Sequence, residues 1–169
     1  MRLFFALPCP EQVIARIVTW RNGQALDGIP VSAENLHVTL AFLGSQPIDL
    51  LPRLLQVAAS VKAPAFTLQL DQLRCWSGGL LHLAPAAPPE PLLSLASQLQ
   101  KNLRTAGFQL EQREYLAHLT LYRDCSLPIP AEFPDISWEV DEFTLFLSES
   151  NSDGVQYQAL ASWKLTQVE

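Results

Sequence analysis

A chain of 169 residues is long enough for one compact unit, or for two small lobes sharing a core, because domains cluster near ~100–150 residues. With 49% hydrophobic and 17% charged residues it is not a disordered chain, and it can build a sizeable core. The net charge of −6 argues against a broad basic face for a nucleic-acid backbone, so any RNA contact is expected to be local.

The chain opens on an apolar run, Leu3 to Leu7, which is too short for a signal-peptide core of ~7–15 residues and reads as a strand from Arg2 to Leu7. No run approaches the ~20 apolar residues of a membrane span, and the unpaired pattern of Cys9, Cys75 and Cys125 fits a reducing cytoplasm, the expected location. Pro8 and Pro10 end the strand. A helix is predicted from about Pro10 to Arg21, with Glu11 in its first turn and Val13, Ile17 and Trp20 on one face. Gly23 to Pro30 reads as a loop.

Asn35 to Gly44, NLHVTLAFLG, alternates as a strand does, which places Leu36, Val38, Leu40 and Phe42 on one face and His37 and Thr39 on the other. A turn is predicted over Gly44 to Pro47, then a helix capped by Asp49 and running to about Val61 with Leu51, Leu54, Leu55 and Ala58 inward. Phe66 to Cys75 reads as one strand, paired in a hairpin through Ser77-Gly78-Gly79 with Leu80 to Ala84. Ala84 to Pro91 holds four of the thirteen prolines and is the expected boundary between lobes. From Glu90 a periodic helix carries Leu92, Leu95, Ala96, Leu99 and Leu103 on one stripe and stops at Gly107.

Tyr115 to Asp124, YLAHLTLYRD, repeats the first strand's pattern: Ala117, Leu119 and Leu121 point to the core, His118 and Thr120 away from it. A proline-rich loop follows, then two closing strands, Trp138 to Ser148 and Tyr157 to Leu165, around a loop at Asn151 to Gly154. Irregular alternation of helices and hairpins predicts an α+β fold with antiparallel sheets flanked by helices, not a doubly wound sheet.

Both motif stretches read His-x-Thr-Leu, and the two histidines are 81 positions apart, close to half the chain. Two similar halves would then face each other across a cleft holding two His-Thr pairs. Histidine, with an unperturbed pKa of ~6.5, lets one copy act as base and the other as acid at neutral pH. Threonine hydroxyls can donate to non-bridging phosphate oxygens, and nothing in the scheme requires a metal or cofactor. His82 has no threonine two residues on and reads as structural. Cys9, Cys75 and Cys125 are odd in number and widely spaced, which suggests neither disulfides nor a zinc site.

With its RLFFAL opening, NLHVTLAFLG, HLTLYRD and late F-T-L-F strand, the chain resembles the two-histidine (2H) phosphoesterase superfamily, and within it the bacterial RNA 2′,3′-cyclic phosphodiesterases, also called 2′-5′ RNA ligases. The resemblance covers nearly the whole chain. It implies a single bilobal, pseudo-symmetric domain over 1–169, with lobes roughly 1–84 and 90–169 and exchange of their terminal strands left open. It also implies metal-independent opening of a 2′,3′-cyclic phosphate at RNA ends or in small cyclic nucleotides, leaving a 2′-phosphate, by a monomer. Reverse ligation by the same pair is the second enzymatic use. A non-catalytic phosphate-binding module is the alternative.

The resemblance casts His37 as proton donor, His118 as proton acceptor, and Thr39 and Thr120 as phosphate ligands. Arg123 stands where the family commonly has an arginine and would neutralise phosphate charge. Phe42 holds the matching place in the first motif, as a base or ribose contact or as core. Two departures stand out: Ala117 precedes His118 where relatives often have Pro, and the Asn151–Gly154 loop is not basic.

Overall fold

The computed structural model describes residues 1–126 and 128–166. Strand β1 (Arg2–Pro8) leads into helix α1 (Glu11–Asn22), which begins behind Pro10 without a side-chain cap. A two-residue strand β2 (Ile29–Pro30) lies inside the expected loop, and a 3-10 turn at Ala33–Asn35 delivers the chain into β3 (His37–Ser45). Helix α2 (Leu51–Ser60) follows a second 3-10 turn over Ile48–Leu50. Its N-cap is therefore Leu50, and Asp49 does not cap it.

The expected single strand Phe66–Cys75 is two, β4 (Phe66–Leu70) and β5 (Gln72–Trp76), broken at Asp71, whose carboxylate accepts from the Ala86 amide at 2.7 Å. Strand β6 (Leu80–Ala84), helix α3 (Glu90–Thr105) and β7 (Leu119–Arg123) come next. The closing strands break in the same manner at Asp141, giving β8 (Ile136–Val140) and β9 (Glu142–Asn151), and β10 (Gly154–Lys164) completes the set. The two breaks have one cause: β4 and β8 leave the main sheet to pair with each other.

The main sheet runs β10-β9-β1-β3-β7-β6-β5, with β2 added to β7, and its pairings are antiparallel. The β5–β6 hairpin of the first half of the chain thus joins β7 of the second through β6, while the β9–β10 hairpin joins β1 through β9. The join between β3 and β7 is one residue pair, Val38 with Leu119. Leu7, Val38, Leu119, Leu83 and Leu73 line up across five strands on the core face, all buried.

The helical stripe of α3 is buried as its periodicity demands, with Leu92, Leu95, Ala96, Leu99 and Leu103 at 0% exposure. At ~1.5–3 kcal/mol for each large apolar side chain, this stripe is a main anchor of the core. Helix α1 departs from expectation: Val13 and Ile17 are buried, but Trp20 is only half-buried and Arg21 is buried in its place. No helix among the described residues is long and apolar enough to cross a membrane.

Candidate active site

The Val38–Leu119 pair sets the site. In an antiparallel pair the flanking positions face one another, so His37 comes against Thr120 and Thr39 against His118, on the face opposite the core. The Tyr115 hydroxyl ties the two motifs further, donating to the Thr39 carbonyl oxygen at 2.9 Å. Residues before Leu119 approach without strand pairing, so His118 sits just ahead of β7.

Both imidazoles are oriented alike. Nδ1–H of His37 donates to the Asn35 carbonyl at 2.6 Å, and Nδ1–H of His118 to the Leu116 carbonyl at 2.8 Å. A carbonyl can only accept, so each bond fixes the proton on Nδ1 and leaves Nε2 for chemistry. Nε2 of His37 accepts from the Thr39 hydroxyl at 2.9 Å. Among the described residues, Nε2 of His118 takes no hydrogen bond. The Asn35 side-chain amide donates to the Val155 carbonyl at 2.8 Å, which fastens β10 beside the first motif.

Burial is the main cause that lowers the pKa of both histidines below the ordinary 6.5, against the raising effect of the Nδ1–H bonds. The charges of His118 and Arg123 push His37 down further, and Arg113 does the same to His118. Aromatic rings wall in His37: Phe4 at 5.0 Å and Tyr157 edge-on at 5.3 Å between centroids.

Phe42 and Arg123 each follow a motif histidine by five residues, an odd offset that would place them on the core face of a regular strand. Each strand instead carries a β-bulge at the third residue after its histidine. Phe5 pairs with Ala41 but Ala6 with Thr39, so Leu40 is the extra residue; Leu81 pairs with Tyr122 but His82 with Thr120, so Leu121 is. Ala41 and Tyr122 turn into the core, and Phe42 and Arg123 emerge on the histidines' face. The expectation that Phe42 shares the core face with Val38 and Leu40 is therefore overturned: the residue is 44% exposed and the Arg2 guanidinium lies over its ring at 5.4 Å.

A helix side chain donates to the carbonyl of each bulge, that of Leu121 also accepting from the Val31 amide at 2.9 Å. Gln100 Nε2 of α3 donates to Leu40 O at 2.8 Å, and Arg21 Nη1 of α1 donates to Leu121 O at 3.3 Å and to Val31 O at 2.7 Å. This is why Arg21 is buried. Beyond Arg123 the chain turns sharply, Asp124 having φ 52°, and the β5–β6 hairpin packs close behind it. A Cβ on Gly79 (φ +83°) would come within 2.6 Å of Cys125 N.

His82, expected to be structural, is buried, but its ring lies 5.5 Å from that of His118, and Trp76 contacts both, at 4.1 and 4.6 Å. Asn35, Arg21, Gln100, Tyr115 and Trp76 were not singled out from the sequence as parts of the site. Only Asn35 and Tyr115, at the edges of the two motifs, carried a local signal.

Comparisons with known proteins bear on the chain as a whole. Residues 9–151 match the family described as the 2′-5′ RNA ligase superfamily. The chain is 35% identical to an Escherichia coli (strain K12) protein named RNA 2′,3′-cyclic phosphodiesterase, over 98% of this chain and 97% of that one. Among solved structures it is similar to E. coli LigT in apo form, with a TM-score of 0.89, 35% identity and 98% of each chain covered. The structure of the same protein complexed with 3′-AMP gives the same TM-score, identity and coverage. With the α+β antiparallel fold shared and the match running nearly end to end, the chain belongs to the 2′-5′ RNA ligase superfamily.

Proposed function

We propose that the chain is a metal-independent phosphodiesterase that opens 2′,3′-cyclic phosphates at RNA ends or in small cyclic nucleotides to 2′-phosphomonoesters. The observation that carries the reading is the pair of Nδ1-anchored imidazoles at the β3–β7 join, each with a threonine against it. Relatives named RNA 2′,3′-cyclic phosphodiesterase supply the substrate class.

In this reading His118 Nε2, which takes no hydrogen bond among the described residues, takes the proton of an attacking water. His37 delivers a proton from Nε2 to the departing ribose O3′. The Thr39 and Thr120 hydroxyls and the Arg123 guanidinium hold the non-bridging oxygens, and their charge stabilisation grows as the phosphorus becomes five-coordinate. Phe42 receives the base or ribose. The half-sheets on either side of Val38–Leu119 act as the lobes of one domain, working as a cytoplasmic monomer.

The test is to incubate the purified protein with a short RNA ending in a 2′,3′-cyclic phosphate and identify the product isomer. A 2′-phosphate is expected. Binding of the RNA without turnover would favour the phosphate-binding module instead.

A further inference from the structure

Six large apolar side chains stand exposed among the described residues, and Trp76 (38%) and Leu116 (54%) both adjoin His118. Leu116 lends its carbonyl to His118 Nδ1, and the Trp76 ring meets the His118 ring edge-on at 4.6 Å. An exposed tryptophan gives up favourable burial, and such side chains beside a reactive group mark a contact surface.

The Trp76 ring is not loose. Buried His82 supports it from behind at 4.1 Å and is itself held through Nδ1–H to the Leu80 carbonyl at 3.0 Å. Between Trp76, Leu116 and Pro88 lies a notch of about 80 Å³ with Arg74 on its wall. The notch is too small to enclose a nucleobase, but the rigid ring beside it offers a ledge on which one can stack, with Arg74 available to a phosphate.

We propose that this ledge is a subsite for the nucleoside that supplies the attacking hydroxyl when an alcohol, in place of water, opens the cyclic phosphate. The proposal rests on the function above and on His118 being the base, because the nucleophile then enters on the His118 side. The acceptor's 5′-hydroxyl oxygen bonds to phosphorus as the P–O3′ bond breaks. The hydroxyl proton passes to His118 Nε2, and His37 Nε2–H protonates O3′, so the product is a 2′–5′ phosphodiester. Phe42 and Trp76 then serve the two nucleosides separately.

The experiment supplies the wild-type protein with a nucleoside 2′,3′-cyclic monophosphate and increasing adenosine, or methanol as an acceptor with no base, and reads the initial rate of transfer and the ratio of transfer to hydrolysis products. With adenosine the rate of transfer should rise and saturate; with methanol it should rise linearly. Trp76→Ala should lower the adenosine ratio about tenfold relative to the methanol ratio, the effect of losing one stacked base. Normalising to methanol cancels any damage to His118. Leu116→Ser, at an exposed position, tests the same ledge if Trp76→Ala does not fold. A rate of transfer to adenosine that never saturates, or an adenosine ratio that both variants leave unaltered against methanol, overturns the subsite while leaving hydrolysis intact. Absence of any turnover in the wild type overturns the proposed function and the subsite with it.

Discussion

Phe42 and Arg123 are equivalent positions of the two motif strands: each lies five residues beyond its histidine and is turned to the histidine's face by a bulge two residues earlier, at Leu40 and Leu121. Helix α3 holds one bulge through Gln100 and helix α1 holds the other through Arg21. The same backbone device thus aims an aromatic ring from one half and a cation from the other.

Removing Gln100 should therefore act on the site from a distance. Gln100→Ala leaves the Leu40 carbonyl without its side-chain partner, a loss of ~1–3 kcal/mol in a urea melt. If the bulge relaxes, KM should rise more than kcat falls, as the proposed role of Phe42 in holding the base or ribose requires. An unchanged melt together with unchanged KM would show that the bulge is held by strand pairing alone.

His37→Ala and His118→Ala should each lower kcat roughly 10²–10⁴-fold with the fold retained, the usual size of one proton-transfer contribution. In the proposed mechanism the two residues work as one unit, so the two losses should combine far less than additively. Near-normal turnover by folded His118→Ala would remove it from the chemistry.

The pH dependence carries a definite sign. Both imidazoles have pKa values lowered from 6.5, so the protonated acid becomes scarce as pH rises through neutrality, and the bell of kcat/KM should peak on the acid side of 6.5. Stability runs the other way. His37, His82 and His118 bind protons less readily folded than unfolded, so the stability they contribute is present above ~6.5 and is lost as pH falls through their folded values. Denaturant melts across pH 5–7.5 measure the second trend, and initial rates on a cyclic nucleotide the first.

Arg123→Gln should cut kcat/KM about tenfold or more, since charged hydrogen bonds are worth ~1.5–3 kcal/mol. It should also flatten an already shallow salt dependence by a slope of ~0.7, the increment for one phosphate on a single strand. A steep salt dependence that survives the substitution would point to cations elsewhere on this chain of net charge −6.

If the histidine pair supplies both proton transfers, as proposed, hydrolysis should persist after exhaustive chelation. Rates measured with and without a chelator decide this, and restoration of a lost rate by one divalent ion would assign the catalysis to metal.

Much of the site was legible in the sequence because it depends on local period. Alternation in NLHVTLAFLG and YLAHLTLYRD places each histidine and threonine opposite the apolar residues, and the 3.6-residue stripe of α3 identifies its buried leucines without reference to anything else. The resemblance to a known family came from the same local strings.

What only the tertiary structure decided are relations between strands. A bulge is a mismatch in residue count between two partners, so nothing within β3 or β7 alone announces that Leu40 or Leu121 is extra, or that Phe42 leaves the core. The breaks at Asp71 and Asp141 depend likewise on β4 finding β8, about 70 residues away. Arg21 and Gln100 reach their carbonyls across 100 and 60 positions, and His82 and Trp76 meet His118 only because β6 pairs with β7. Local period sets which way a side chain points within its own strand; pairing across the sheet sets what it meets, and where the period itself is broken.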